Sequence, residues 1–229
     1  MNLSDSCRMV GSPASVRQAA QREEMQFPLS LRAFITAPQC PFTRCIRIHL
    51  KTLTNPTVPV SSMLVRMRQV YQTADIGVEV VSRESLAGIP NFVALNNLNV
   101  INNCPRGSTT AQQNQLFQNR NNVGANEIVV YFVQSTVPAF NGCAAFPAGS
   151  PGAVVAQIAS RWTPAHEVGH VLGLNHITGE NSAPGGATCS SPDFSRLMTG
   201  CGTGNIVGIP TIVQAEIDTM RGSDLANAC

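Results

Sequence analysis

Histidine is scarce in this chain, with four in 229 residues. Charge is scarce too: 12% of residues are charged and the net charge is +2. So small an excess makes no basic face, which excludes nucleic acid and anionic membrane surfaces as expected partners. Lys51 is the only lysine. No apolar run is long enough to span a membrane, and the polar opening "MNLSDSCRMVGSPASVRQAA" has no run of export-signal length. There are no internal repeats and no low-complexity tract. No two cysteines stand at CxxC spacing, which removes zinc-ribbon and thioredoxin-type motifs.

What is present is a globular composition, 43% hydrophobic, in a chain long enough to build a core without staples. It still carries eight cysteines: Cys7, Cys40, Cys45, Cys104, Cys143, Cys189, Cys201 and Cys229. An even, scattered set suggests disulfides and an oxidising compartment, although cysteine is also a common buried thiol. Sequence cannot choose among roughly a hundred pairings. Cys189–Cys201 is the expected pair, because it brackets one short loop. Disulfides without an export signal imply a processed product, an excised domain or cargo carried by another machine.

Residues 1–40 are polar and punctuated by proline, with a possible short helix near Ser15–Met25, and read as an arm or linker. A catalytic domain is expected over 41–229. "CIRIHLKTL" (Cys45–Leu53) alternates apolar and polar residues, predicting a strand with one buried face. Val60–Ala74 places Met63, Leu64, Met67, Val70 and Tyr71 at helical spacing. Ile76–Arg83 reads as a second strand, completing a βαβ unit with parallel pairing. Residues 84–108 read as loop, and "TTAQQNQLFQNR" as a short helix. Asn126–Gln134 is an apolar, β-branched run, a buried strand. "GCAAFP" (Gly142–Pro147) and "GAVVAQIAS" (Gly152–Ser160) read as two more strands, the first an edge strand closed by proline. Pro210–Gly222 reads as a helix with proline in its first turn and glycine past its end.

Three of the four histidines fall in "TPAHEVGHVLGLNH". His166 and His170 are four apart, so they share one helix face. Thr163 reads as the N-cap and Pro164 as the first helical residue. Two imidazoles so placed can bind one zinc ion, and Glu167 stands beside it without being a ligand. Gly173 can take the positive φ that ends the helix, and His176 is then brought round to the same ion. Three protein nitrogens leave a fourth position for water, as catalytic zinc requires. His49, in a predicted strand, reads as structural.

"HEVGHVLGLNH" resembles the metzincin zinc-endopeptidase consensus. A methionine after it, Met198 in "SRLMTGCG", is similar to that family's Met-turn. The resemblance implies His166, His170 and His176 as ligands of one Zn²⁺, Glu167 as general base, and Met198 as the floor of the site. It implies an α+β fold: a twisted, mostly parallel sheet with an antiparallel edge strand, a backing helix, an active-site helix and a C-terminal helix. The upper subdomain would run over about 41–173 and the lower over about 174–229. Substrate would lie along the edge strand at 142–147. No Tyr follows Met198 to help bind an oxyanion, and the loops hold too few carboxylates to predict structural calcium. Cys7 could act as a latency thiol on zinc, though disulfide pairing explains it more simply.

The activity so implied is hydrolysis of peptide bonds by a zinc-bound water that Glu167 deprotonates, in a monomeric domain. More loosely, the chain resembles the C-terminal metallopeptidase effector domains of type VI secretion spike proteins. That implies attachment to such a spike and delivery as a toxin to a periplasm or host cell. The alternatives are an ordinary secreted protease, a zinc amidase acting on cell-wall peptides, and a zinc-containing module that binds a partner without catalysis.

Overall fold

The computed structural model describes residues 42–177 and 193–229. Thr43–Cys229 forms one compact unit. Its centre is a five-stranded sheet in the order β2-β1-β4-β7-β6. The strands are β1 (Arg44–Thr52), β2 (Ile76–Ser85), β4 (Ile128–Val133), β6 (Gly142–Cys143) and β7 (Gly152–Ala156). The first four neighbours pair in parallel, and β6 runs antiparallel at the end of the sheet. The α+β class, the mostly parallel sheet and the antiparallel edge strand all agree with expectation.

Helix α1 (Val60–Tyr71) crosses from β1 to β2 and continues as one 3₁₀ turn, Gln72–Ala74. Its apolar stripe of Met63, Leu64, Met67, Val70 and Tyr71 joins Ile46, Ile48, Leu50, Val130 and Phe132 in one core. Alternate residues of β4, Val129, Tyr131 and Val133, pack on the opposite face against Leu116 and Phe117 of α3 (Ala111–Phe117). All six residues of β4 are therefore buried, as a parallel strand between two layers must be. Thr110 caps α3 in a capping box with Gln113.

Three expectations need correction. The segment 84–108 is not all loop. It holds a four-residue helix α2 (Pro90–Val93) and strand β3 (Asn97–Asn99), which pairs in parallel with β5 (Ser135–Val137). The second face of β1 is not exposed at its C-terminal half, because His49 and Lys51 are each 1% exposed. They are tolerated because both are paired. His49 Nδ1 meets Ser82 Oγ at 2.7 Å and its Nε2 meets Glu127 Oε2 at 2.7 Å, while Lys51 donates to Glu84. His49 is structural, as read from sequence. The C-terminal helix α5 (Gln214–Arg221) starts four residues after Pro210, where Glu216 Oε2 accepts from the Val213 backbone N–H at 2.8 Å.

Two disulfides join Cys45 to Cys229 and Cys104 to Cys143. Cys201 is also disulfide-bonded, and its expected partner Cys189 lies outside the described residues. So do the arm over 1–40, its helix near Ser15–Met25, Cys7 and Cys40. Among the described residues no helix is long and apolar enough to cross a membrane.

Candidate metal centre

Helix α4 (Thr163–Val171) packs its apolar residues Ala165, Val168 and Val171 into the core beneath β7. Tyr71 of α1 donates to the Ala165 carbonyl at 2.8 Å and ties the two helices together. The helix begins one residue earlier than its cap pattern suggests. Trp162 is the N-cap, and Thr163 is the first helical residue, so Pro164 is the second. The Thr163 hydroxyl is taken instead by Thr203 Oγ1 at 2.6 Å, which anchors the helix start to the turn Thr203–Asn205.

The other end closes as expected. Gly173 has φ +110°. Its N–H bonds to the His170 carbonyl and the Leu174 N–H reaches back to the Gly169 carbonyl, both at 3.0 Å. This paired closure satisfies the orphan carbonyls and reverses the chain. The reversal brings His176 over α4, and the Ile177 N–H is held by the Met198 carbonyl at 3.2 Å.

The three imidazoles meet. His166 Nε2 lies 3.1 Å from His170 Nε2 and 3.2 Å from His176 Nε2, and the third side of the triangle is 3.1 Å. The opposite nitrogens explain the orientation. His166 Nδ1 faces the Leu197 carbonyl at 2.7 Å and His170 Nδ1 faces the Leu174 carbonyl at 2.8 Å. A carbonyl only accepts, so both Nδ1 atoms carry the proton. In the neutral rings the two Nε2 lone pairs then point at each other, which is unfavourable unless a cation lies between them. A triangle of these sides accepts an ion at about 2.0–2.1 Å from each corner with near-tetrahedral angles, and the backbone carbonyls fix the tautomer as they do for metal-ligating histidine. His166, His170 and His176 can therefore hold a metal ion together.

Glu167 is 6% exposed and stands apart from the triangle, on the side of β6. A Cβ on Gly142 would come within 2.5 Å of its Cγ and Oε1. The edge strand thus presses its backbone onto the carboxylate, and only glycine permits the approach. Gly142→Ala is expected to push Glu167 aside while sparing the fold, because the atoms it meets are the mobile end of a side chain. A displaced Glu167 carboxyl at an unchanged melting temperature would bear this out, and a carboxyl left in place would contradict it.

Met198 is fully buried under α4, its sulfur 2.8 Å from where a Cβ on Gly169 would stand. The turn also supplies the Leu197 carbonyl to His166 and the Met198 carbonyl to Ile177. The predicted His166, Glu167, His170, His176 and Met198 are all brought to one place.

The edge strand differs from its predicted 142–147. Only Gly142 and Cys143 pair with β7, opposite Val155 and Val154. The Cys104 disulfide and the Gln113 amide, which donates to the Ala145 carbonyl at 3.1 Å, draw the following residues away. A cleft of about 250 Å³ runs past the triangle between β6 and the loop of Asn103–Arg106. Sequence gave no signal for that loop, since its place depends on a disulfide between residues 39 apart.

Burial governs the protonation of the metal-free site. It lowers His166 and His176, takes His170 down to about 4 with help from His176, and pushes Glu167 up to about 8. For the histidines, the folded values lie below the unfolded value near 6.5, so their stability is present above 6.5 and lost as pH falls toward about 4. For Glu167 the folded value is raised, so its stability is present below about 4.5 and lost as pH rises through about 8. Three imidazoles outweigh one carboxyl on the acid side. The chelated protein is therefore expected to melt highest near pH 6.5 and lower on both sides. A melting temperature still rising from pH 6.5 to 8.5 would contradict the account.

No family model matches the chain, and no curated protein does. Among solved structures, metalloproteinase-II from Bacteroides fragilis is similar, with a TM-score of 0.50 and 14% identity. The match covers 83% of this chain but only 59% of that one. A chain in the structure of a chaperone-substrate complex aligns at a TM-score of 0.47 and 14% identity, over 78% of this chain and 33% of that one. Archaemetzincin from Methanopyrus kandleri aligns at 0.40 and 14% identity, over 84% and 92%. The likeness in fold rests on the first of these.

Proposed function

We propose that this chain is a zinc metalloendopeptidase of metzincin type. The observation that carries the reading is the convergence of three Nε2 atoms at 3.1–3.2 Å with Glu167 buried next to them. The fold shared with a bacterial metalloproteinase supports it.

His166, His170 and His176 would hold one zinc ion, whose Lewis acidity polarises a carbonyl and acidifies water. The outer edge of β6, unpaired among the described residues, would offer backbone groups to an extended peptide and so align a scissile carbonyl above Glu167. As water adds to that carbonyl, the Glu167 carboxylate accepts its proton. The same carboxyl then delivers the proton to the leaving amine nitrogen, so the products are one acid and one amine. No Tyr follows Met198, where Thr199 and Gly200 stand, so the tyrosine that helps bind the oxyanion in some metzincins has no counterpart there.

Stripping the metal is the direct test. Chelation should abolish cleavage of an unfolded protein substrate, and one equivalent of zinc should restore it. Cleavage that persists after complete removal of metal would refute the reading.

In this proposal the domain acts as a delivered toxin in an oxidising compartment, a periplasm or a host space. It would be attached to a secretion-spike protein, monomeric in isolation, and would not be a resident cytoplasmic enzyme. The disulfides Cys45–Cys229 and Cys104–Cys143 support an oxidising site of action. Wild-type protein expressed in a test bacterium should be toxic in the periplasm and harmless in the cytoplasm. Equal toxicity in both would remove this part of the proposal.

A further inference from the structure

The loop facing β6 across the cleft carries Arg106, an exposed residue. Among the described residues lining the cleft, Arg106 is the single arginine or lysine and Glu167 the single carboxylate. The two form no ion pair. Arg106 is instead fixed from behind. Its Nη2 donates to the His170 and Leu174 carbonyls, each at 3.1 Å, at the closed end of α4. Nη1 and Nε have no partner among the described residues.

The backbone that presents Arg106 is unusual. Asn103 and Cys104 both sit in the left-handed region, at φ 63° and 43°. Neither is glycine, so the conformation costs energy and needs support. The Cys104–Cys143 disulfide supplies it and fastens the loop to the edge strand itself. One wall of the cleft is thereby held in register with the other.

An arginine is charged at every working pH and presents its donors as a rigid fork. Here one nitrogen is spent on two neutral carbonyls, and the rest of the fork is left over in a cleft beside the three imidazoles, of which His166 is buried and His170 and His176 are half-buried. Carboxylates match that fork in shape and charge. We infer that Arg106 is a specificity-determining residue that docks a carboxylate of the peptide substrate. The carboxylate belongs either to an Asp or Glu side chain near the scissile bond or to the C-terminus of the peptide. The inference rests on the peptidase reading and names its substrate class.

The test uses the zinc-loaded protein and three matched peptides. One is neutral and C-terminally amidated. One is amidated with a single Glu scanned across the positions flanking the cleaved bond. One is neutral with a free C-terminal carboxylate. Both kcat/KM and the Kd of uncut peptides are read, per zinc-carrying molecule, for wild type, Arg106→Gln, Arg106→Lys and Arg106→Glu. Wild type should favour one carboxylate peptide over the neutral one by about 10- to 100-fold, the worth of a charge-assisted hydrogen bond. Which of the two is favoured separates side chain from C-terminus.

The ratio should fall to near one in Arg106→Gln and be partly kept in Arg106→Lys. In Arg106→Glu it should fall below one, with the neutral peptide preferred over the carboxylate peptide. A merely structural role would lower all rates together and leave the ratio in place. A ratio equal in wild type and Arg106→Gln overturns the inference while leaving the peptidase reading intact. If no peptide is cut, the peptidase reading fails, and the Kd ratio still decides for or against Arg106.

Discussion

Glu167→Gln is expected to lower kcat/KM by about 10²–10⁴-fold, the range for losing a positioned general acid-base group. Zinc content should stay at one per chain, because the three Nε2 atoms that define the site come from His166, His170 and His176 alone. Glutamine is the right replacement on packing grounds. Glu167 is buried against Gly142, and a shorter side chain would open space under β6 and confuse loss of chemistry with loss of shape. Glutamine keeps the volume and removes only the capacity to take a proton. The measurement pairs steady-state cleavage with metal analysis and a thermal melt. A variant within tenfold of wild type would take Glu167 out of the reaction. A variant that lost zinc would make it a structural support of the site.

The centre was legible in sequence because each of its parts is local. His166 and His170 are one helical turn apart, Glu167 follows at once, and Gly173 alone supplies the positive φ that turns His176 back. The strands with strong patterns, β1, β2 and β4, were legible for the same reason. What escaped depends on pairing between distant segments. Strand β3 is three residues of Asn-Leu-Asn and looks like loop until β5 lies beside it. The burial of Lys51 could not be guessed, since Glu84 meets it from the neighbouring strand. Thr163 follows a cap pattern, yet its hydroxyl finds a better partner 40 residues away in Thr203, and the helix start shifts by one. The edge strand is cut short by a disulfide and a glutamine amide, neither of which alternation of apolar residues can report. Arg106 is the sharpest case. Nothing near it in sequence marks it, and its place is set by Cys143 and by the closure of α4.

The Cys45–Cys229 disulfide is expected to contribute the larger increment of stability of the two disulfides among the described residues. It closes a loop across a sequence separation of 184, so its removal frees the ends of almost the whole compact unit in the unfolded state. The chain-entropy relation puts that at about 5 kcal/mol at 25 °C. For a domain of this size, such a loss corresponds to about 10–20 °C in melting temperature. In the folded state the ends remain paired without the sulfurs: the Cys45 N–H bonds to the Asn227 carbonyl at 2.7 Å and the Asn227 N–H to the Cys45 carbonyl at 3.0 Å. Cys45→Ser with Cys229→Ser should therefore keep the same fold and the same metal content at low temperature while melting far earlier. Cys104→Ser with Cys143→Ser opens a loop spanning only 39 residues, whose closure the same relation makes worth about 1 kcal/mol less. The second pair should instead show itself in the cleft, as loss of peptide discrimination through Arg106. Melting curves and peptide ratios measured on both double variants separate the two roles. A first variant that melts within 3 °C or so of wild type would show that the native backbone pairing, and not the crosslink, holds the C-terminus to β1.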